Sequence, residues 1–336
     1  MSVFRIIDGN LHISTTTGLA EVPPELEQKL ERTANSFLNK LRMPLPENPE
    51  LPFFAYGLFK PGQLGFDVLR DFVEESKPEH VLGDLMEKDG VPLFVDGCSK
   101  VGGVLLKFAS DKAADAYQQI ASIEPETLYK WESRNTIAGI ANNLLVARSS
   151  NGVRHIEDAV WDGRKDPLFH EALDLVELTL AKYDPSSQTS EYSSRDLIYR
   201  LLDLQMAYML LWTSIERYTA LRYHLQAQTM EKINKMTSEQ GFCEALQKHV
   251  NREDRVYPTH SKTAKKLCAT KPAQALDYYY QVRCNISHRG KAMMSDTMLV
   301  EQCTRELLSI FRDTLNQAFD ECQLLQDMSA PQEVMQ

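Results

Sequence analysis

The sequence predicts an α+β first half followed by an all-helical second half. Three observations predict this. Up to residue 183, short apolar runs alternate with turns containing Gly or Pro, the pattern of strands joined by tight connections. Asp184 to Ser194 holds five serines and one proline in eleven residues, a composition that neither packs nor continues a helix. Beyond it no Gly or Pro occurs between Ser186 and Gln240, and apolar residues recur at gaps of three and four. A chain of 336 residues favours two domains over one. The expected division is an N-terminal hairpin and helix over 1–50, an α+β domain over 51–183, a linker over 184–194, a helical bundle over 195–326 and a frayed tail over 327–336.

The elements follow in order. Asp8-Gly9-Asn10 between two apolar runs predicts a hairpin over 3–14, because Asp-Gly supplies the positive φ a tight turn needs. Pro23-Pro24 opens a helix predicted to run to about Leu41. A short apolar strand is expected to run through Phe53–Tyr56 into a Gly/Pro turn, and strands at Val101–Phe108, Leu144–Ala147 and Asp158–Trp161 are implied by the resemblance given below. Helices are expected over 114–123 and 167–183. In the second half, one long helix from Ser194, as N-cap, continues to a break at Gln240-Gly241. A short helix follows over 242–250, then a polar, basic connector over 251–271. Pro272 begins another helix with Ala273, Leu276, Tyr280 and Val282 as core candidates, and Gly290 stands where a helix is capped. The last helix spans about 296–325.

Net charge is −10, so nothing global points to nucleic acid. The charge is uneven, however. Residues 248–291 carry ten basic and three acidic residues, whereas 292–336 carry two basic and eight acidic. The basic run therefore surrounds one stretch, Tyr278-Tyr279-Tyr280-Gln281-Val282-Arg283-Cys284-Asn285-Ile286-Ser287-His288-Arg289-Gly290. A solvated Lys-rich helix face is the alternative reading of that charge. The six cysteines include no CxxC pair, which argues against a zinc ribbon. No apolar leader and no run of 18 apolar residues occurs. The expectation is a cytoplasmic protein with no membrane contact, no metal and no cofactor.

Two motifs carry chemistry. The first is Arg283-x4-His288. A guanidinium grips phosphate through paired hydrogen bonds, and an imidazole moves protons near neutral pH. Five residues of helix separate them by ~140° of rotation, so one copy does not present both on one face. Arg283 paired with Asp277 or Glu216, and His288 as a cap, is the competing structural reading. The second is Phe53-Phe54-Ala55-Tyr56-Gly57-Leu58-Phe59-Lys60-Pro61-Gly62, an apolar strand running into a Gly/Pro turn.

Both motifs resemble known families. The Arg-x4-His pattern near a helix end resembles the signature of HEPN domains, many of which are ribonucleases. The Tyr56–Gly62 loop, with Val101–Phe108 and Glu124-Pro125-Glu126-Thr127-Leu128-Tyr129, looks like the gamma-glutamylcyclotransferase-like fold over residues 51–182. That likeness implies a mixed β-barrel or sheet with helices, followed by a HEPN-like bundle. It further implies a ligand loop of Tyr56, Gly57, Leu58 and Phe59. The catalytic glutamate would be Glu124, with Glu126 as the alternative register. Leu58 departs from the family, which has Ser or Thr there. The HEPN likeness implies a metal-independent endoribonuclease of toxin–antitoxin or anti-phage type, a homodimer with a composite site. Its residues would be Arg283, His288, Asn285 and Glu216, with Tyr279, Arg289 and Lys291 on RNA. Cys284 and Arg289 depart from that pattern. RNA, a second copy, and an antitoxin or small ligand are the partners implied. Gamma-glutamyl cyclotransfer releasing 5-oxoproline, and a non-catalytic RNA- or protein-binding dimeric scaffold, are the alternatives.

Overall fold

The computed structural model describes residues 4–7, 10–15, 18–21, 43–183, 194–224, 229–258, 262–288 and 296–329. The architecture is α+β, with strands confined mainly to the first half and helices dominating the second. The predicted N-terminal hairpin is β1 (Phe4–Ile7) against β2 (Asn10–Thr15), Ile7 opposite Asn10, and β3 (Gly18–Glu21) adds an unpredicted third strand. The helix expected over 23–41 lies outside the described residues.

A six-stranded mixed sheet forms the body of the first half. It comprises β4 (Phe53–Ala55), β5 (Val73–Lys88), β6 (Val91–Phe108), β7 (Tyr129–Asn135), β8 (Ala141–Ala147) and β9 (Arg154–His155), in the order β7-β8-β4-β6-β5-β9. Strand β4 pairs antiparallel with β6 and parallel with β8. The β5–β6 hairpin turns through Asp89 (φ 51°) and Gly90 (φ 78°), both left-handed as a two-residue hairpin loop demands. Helix α1 (Ala113–Ile123) buries Ala116, Tyr117, Ile120 and Ala121 against the sheet. The stretch Asp158–Trp161 is not a strand. Ala159 takes a φ of 48° and its N–H closes a turn on the Ile156 carbonyl, so the chain bends there instead.

Helices α2 (Glu171–Lys182), α3 (Ser194–Tyr223), α4 (Thr229–Met236), α5 (Gln240–His249), α6 (Pro272–His288) and α7 (Thr297–Ser329) share a second core. Helix α2 precedes the Ser-rich stretch, yet Leu173, Val176 and Leu180 pack into this helical core. The long helix stops at Tyr223 rather than at Gly241, because His224 turns left-handed at φ 44°. Gly241 instead lies inside α5, where a Cβ would meet the Gln317 amide at 2.8 Å. The basic connector contains a small unpredicted hairpin, β10 (Asp254–Val256) with β11 (Lys265–Leu267). On α6 the core residues are Ala275, Leu276, Tyr278, Tyr279 and Val282, while Ala273 is exposed. No helix among the described residues is long and apolar enough to cross a membrane.

Candidate functional site

Strand β4 delivers its last residues into a cavity of about 250 Å³. The loop Tyr56–Phe59 forms one wall, and the Lys60 N–H closes its turn on the Gly57 carbonyl at 2.9 Å. Position 57 must be glycine because a Cβ there would lie 2.5 Å from Cγ of Pro92 on the neighbouring strand. The Tyr56 hydroxyl donates to the Leu145 carbonyl at 2.6 Å, and the Tyr129 hydroxyl donates to the Pro92 carbonyl at 2.8 Å. Both phenols are thus fixed in place with their protons already engaged.

Glu124 enters the same cavity from the end of α1. Proline disfavours helical backbone in the residue before it, and Pro125 has that effect here. Glu124 turns extended (φ −83°, ψ 129°) while its N–H still bonds the Ile120 carbonyl. Pro125 then accepts from the amides of Leu128 and Tyr129, the turn that starts β7. Burial pushes the Glu124 carboxyl up to about 7. Glu126, the other register, is not part of the cavity wall; Arg148 Nε donates to its carbonyl at 2.6 Å. Of the two glutamates, Glu124 is the one that faces the Tyr56–Phe59 loop across a cavity.

The remaining wall comes from the helical half. Ala220, Leu221 and His224 line the cavity from the C-terminal end of α3. Leu58 packs against both the sheet core and the helical core. An apolar side chain suits that position because it joins two hydrophobic interiors. One turn before the cavity, Arg217 donates to the buried Asp166 carboxylate through Nε (2.9 Å) and Nη2 (2.8 Å). It also reaches the Asp89 carbonyl at the hairpin tip, at 3.2 Å. Arg222 adds an ion pair to Asp67 at 3.3 Å. These contacts hold α3 against the first half.

The Arg/His stretch lies elsewhere on the same helical scaffold. Arg283 on α6 sits with its guanidinium 5.6 Å above the Tyr280 ring, and Nη2 is 3.7 Å from Oε1 of Glu216 on α3. That spacing is an ion pair but exceeds hydrogen-bond length. Arg283 Nε is screened from solvent and has no partner among the described residues. Glu216 is therefore the acid that faces Arg283, whereas Asp277 pairs with Lys265 at 2.9 Å. Asn285 accepts from Gln281 at 3.0 Å and donates to the Tyr257 carbonyl at 3.2 Å, so it ties α6 to the connector. Tyr279 is not available to stack on a base. It is fully buried, and its hydroxyl donates to Glu306 at 2.9 Å. Tyr280, only partly buried, is the tyrosine that meets Arg283. His288 is the last residue of α6; its ring, and Arg289 and Lys291, lie outside what is described.

No protein-family model and no curated protein matches the chain. Among solved structures, the crystal structure of uncharacterized protein PH0828 from Pyrococcus horikoshii is similar over 40% of this chain and 98% of its own. The sequence identity is 16% and the TM-score 0.28.

His224 is the site residue that sequence reasoning misses. The signal for it was present only as a face. Arg217, Ala220, Leu221 and His224 follow the spacing i, i+3, i+4, i+7, one side of a helix. Nothing in the sequence says what that side covers.

Proposed function

We infer that the chain is a metal-independent endoribonuclease centred on Arg283 and His288, carrying a small-ligand pocket in its first half. The observation that carries this reading is the state of the Arg283 guanidinium. It is oriented by Tyr280 and Glu216, yet the Glu216 pair is too long to be a hydrogen bond and Nε has no partner. Its Nε is buried and closed to a ligand, so the Nη groups, oriented by Tyr280 and Glu216, are the ones that suit a phosphate. In the reaction, a ribose 2′-OH attacks the adjacent phosphorus, the bond to the 5′ oxygen breaks, and a 2′,3′-cyclic phosphate and a 5′-hydroxyl result. His288 moves a proton and Arg283 offsets charge building on the phosphoryl oxygens.

A second copy supplies the other half of the site. Ile198, Leu202 and Met206 recur every four residues on α3 and are exposed, Met206 by 71%. The same face leads on to Met209, whose sulfur meets Ser287 on α6, and then to Glu216. An apolar stripe beside a charged site supports a two-fold contact at that place. Growth arrest by RNA cleavage is the biological outcome expected of such an effector. The test is single-turnover cleavage of a single-stranded RNA by Arg283→Ala and Arg283→Lys. Alanine is expected to lose ~10²–10⁴-fold, and lysine to recover only part of it. Equal rates for all three proteins would end the reading and leave an RNA- or protein-binding scaffold.

A second reading, gamma-glutamyl cyclotransfer with Glu124 as base, is favoured by a carboxyl held near neutrality in a cavity facing the Tyr56–Phe59 loop. Release of 5-oxoproline from gamma-glutamyl peptides, lost in Glu124→Gln, supports it; no release in the wild type rejects it.

A further inference from the structure

The β10–β11 hairpin has two unlike faces. Val256 and Leu267 are buried in the helical core, while the alternate residues Arg255 and Lys266 are exposed. The register sets Arg255 directly opposite Lys266. Like charges in that relation destabilise an antiparallel pair, because their Cβ atoms stand only ~5 Å apart. A neighbouring acid would offset the repulsion, as Asp277 does for Lys265 and Asp313 for Lys248. Arg255 and Lys266 have no acidic partner among the described residues, and neither does Lys271, which lies just beyond β11.

These three cations line one cleft of about 570 Å³. The two acids in its wall do not cancel them. Asp254 is already engaged, by Arg252 and by the Tyr278 hydroxyl at 2.7 Å, so Glu253 alone remains against three positive charges. The whole chain carries a net charge of −10, so this basic cleft runs against the general balance. It also leads toward the Arg283 site. Gln274 in its wall precedes Arg283 on α6 by nine residues, ~14 Å of rise, or about four nucleotides at the ~3.4 Å spacing of a stacked strand. At the other end of β10, Tyr257 is 49% exposed and its carbonyl accepts from Asn285 on α6. Unpaired cations beside an exposed aromatic ring favour a single-stranded nucleic acid over an acidic protein segment.

Resting on the RNA reading above, we propose that the exposed face of the β10–β11 hairpin, with Lys271, is the docking cleft for single-stranded RNA. Arg255, Lys266 and Lys271 take its phosphates and Tyr257 stacks on a base. A phosphate between Arg255 and Lys266 removes the repulsion that the folded chain otherwise carries, and the strand so held runs along α6 to Arg283.

Fluorescence anisotropy on the full chain tests this with a single-stranded RNA of about ten nucleotides. The probe carries 2′-O-methyl groups throughout, so it binds without being cut. Combined Arg255→Gln, Lys266→Gln and Lys271→Gln is expected to weaken binding ~10-fold or more at low salt. It is also expected to flatten the slope of log affinity against log salt by ~0.7 per lost cation, ~2 in all. The same variant is expected to melt no earlier than wild type, since a like-charge pair is gone. An equal charge change at the exposed Lys100, Lys107 and Lys112 of the first half is expected to leave the slope unchanged. Tyr257→Leu is expected to weaken binding ~5-fold or more, also with an unchanged slope. Wild-type affinity and slope in the hairpin variant, in a protein that still cuts unmodified RNA, overturn the cleft and keep the nuclease. Binding that is lost in the hairpin variant, in a protein that cuts no RNA, keeps the cleft and ends the nuclease. No binding by wild type, an equal loss in the Lys100, Lys107 and Lys112 variant, full affinity in Tyr257→Leu, or equal competition by an oligoglutamate of the same charge overturns the proposal.

Discussion

Glu216 on α3 and His224, which directly follows that helix, lie eight residues apart, yet they face different sites. Glu216 meets Arg283 on α6, and His224 closes the cavity around Glu124. Two turns of helix, ~12 Å of rise, separate them. An element shared by two sites is the physical requirement for one to bias the other, since coupling needs a structure that both can shift. The small-ligand pocket and the proposed nuclease site share α3.

The cavity predicts opposing pH effects on stability. Burial raises Glu124 to about 7, so the folded state holds a proton that the unfolded chain releases near the ordinary carboxylate value. Glu124 therefore makes stability fall as pH rises from about 4.5 to 7. His224 is lowered to about 4 by burial and then by Lys232, so the folded state lacks a proton that the unfolded chain gains. Its contribution makes stability fall as pH drops from about 6.5 to 4. Each amounts to ~3 kcal/mol at most, and they oppose across pH 4.5–6.5. Denaturant titrations across this range are expected to show stability rising with pH for Glu124→Gln and falling with pH for His224→Gly. Identical profiles for the two variants would contradict both assignments.

The junction is predicted to depend on Arg217. Asp166 is 2% exposed; Arg217 is its ion-pair partner on Oδ2, and the Leu168 N–H donates to Oδ1 at 3.0 Å. Arg217→Ala leaves a buried charge unpaired and is expected to cost ~3–5 kcal/mol in urea denaturation. Asp166→Ala in the same protein is expected to return part of that loss. A change below 1 kcal/mol in the single variant would show that the pair does not hold the halves together.

Leu58 is predicted to act in packing rather than in binding polar groups. Leu58→Ala opens space between two cores and is expected to lower stability by ~1–3 kcal/mol, less than a fully buried leucine. Leu58→Ser, which places a hydroxyl between the two cores, is expected to cost at least as much. A stable serine variant would argue that the two cores do not meet there.

Tyr279 and Tyr280 are predicted to separate. Tyr279→Phe removes the bond to the buried Glu306 and is expected to lower stability by ~1–2 kcal/mol with RNA affinity unchanged. Tyr280→Ala removes the ring under Arg283 and is expected to weaken RNA cleavage with a smaller stability loss. Filter-binding and melting measurements on the two variants check this.

Much of the cavity was legible before the fold was seen. An apolar strand ending in Tyr56-Gly57 and a helix ended by Glu124-Pro125 are local signals, and local signals survive into the structure. What was not legible depends on contacts distant in sequence. The stop at His224 has no Gly or Pro to mark it, and the residues it lies beside, Gly65 and Phe59, are distant in sequence. Tyr278 and Tyr279 are adjacent, so helical spacing alone does not tell which faces inward; both do, because Asp254 and Glu306 receive their hydroxyls. The choice of Glu216 over Asp277 for Arg283 likewise required the placement of Lys265.

The most direct test of the central claim is the chemistry of RNA ends after incubation with the full chain in EDTA, read by mass spectrometry. The account predicts 2′,3′-cyclic phosphate and 5′-hydroxyl ends, absent with His288→Ala and with Arg283→Ala. Intact RNA, 5′-phosphate ends, or the same ends at the same rate from His288→Ala would contradict it.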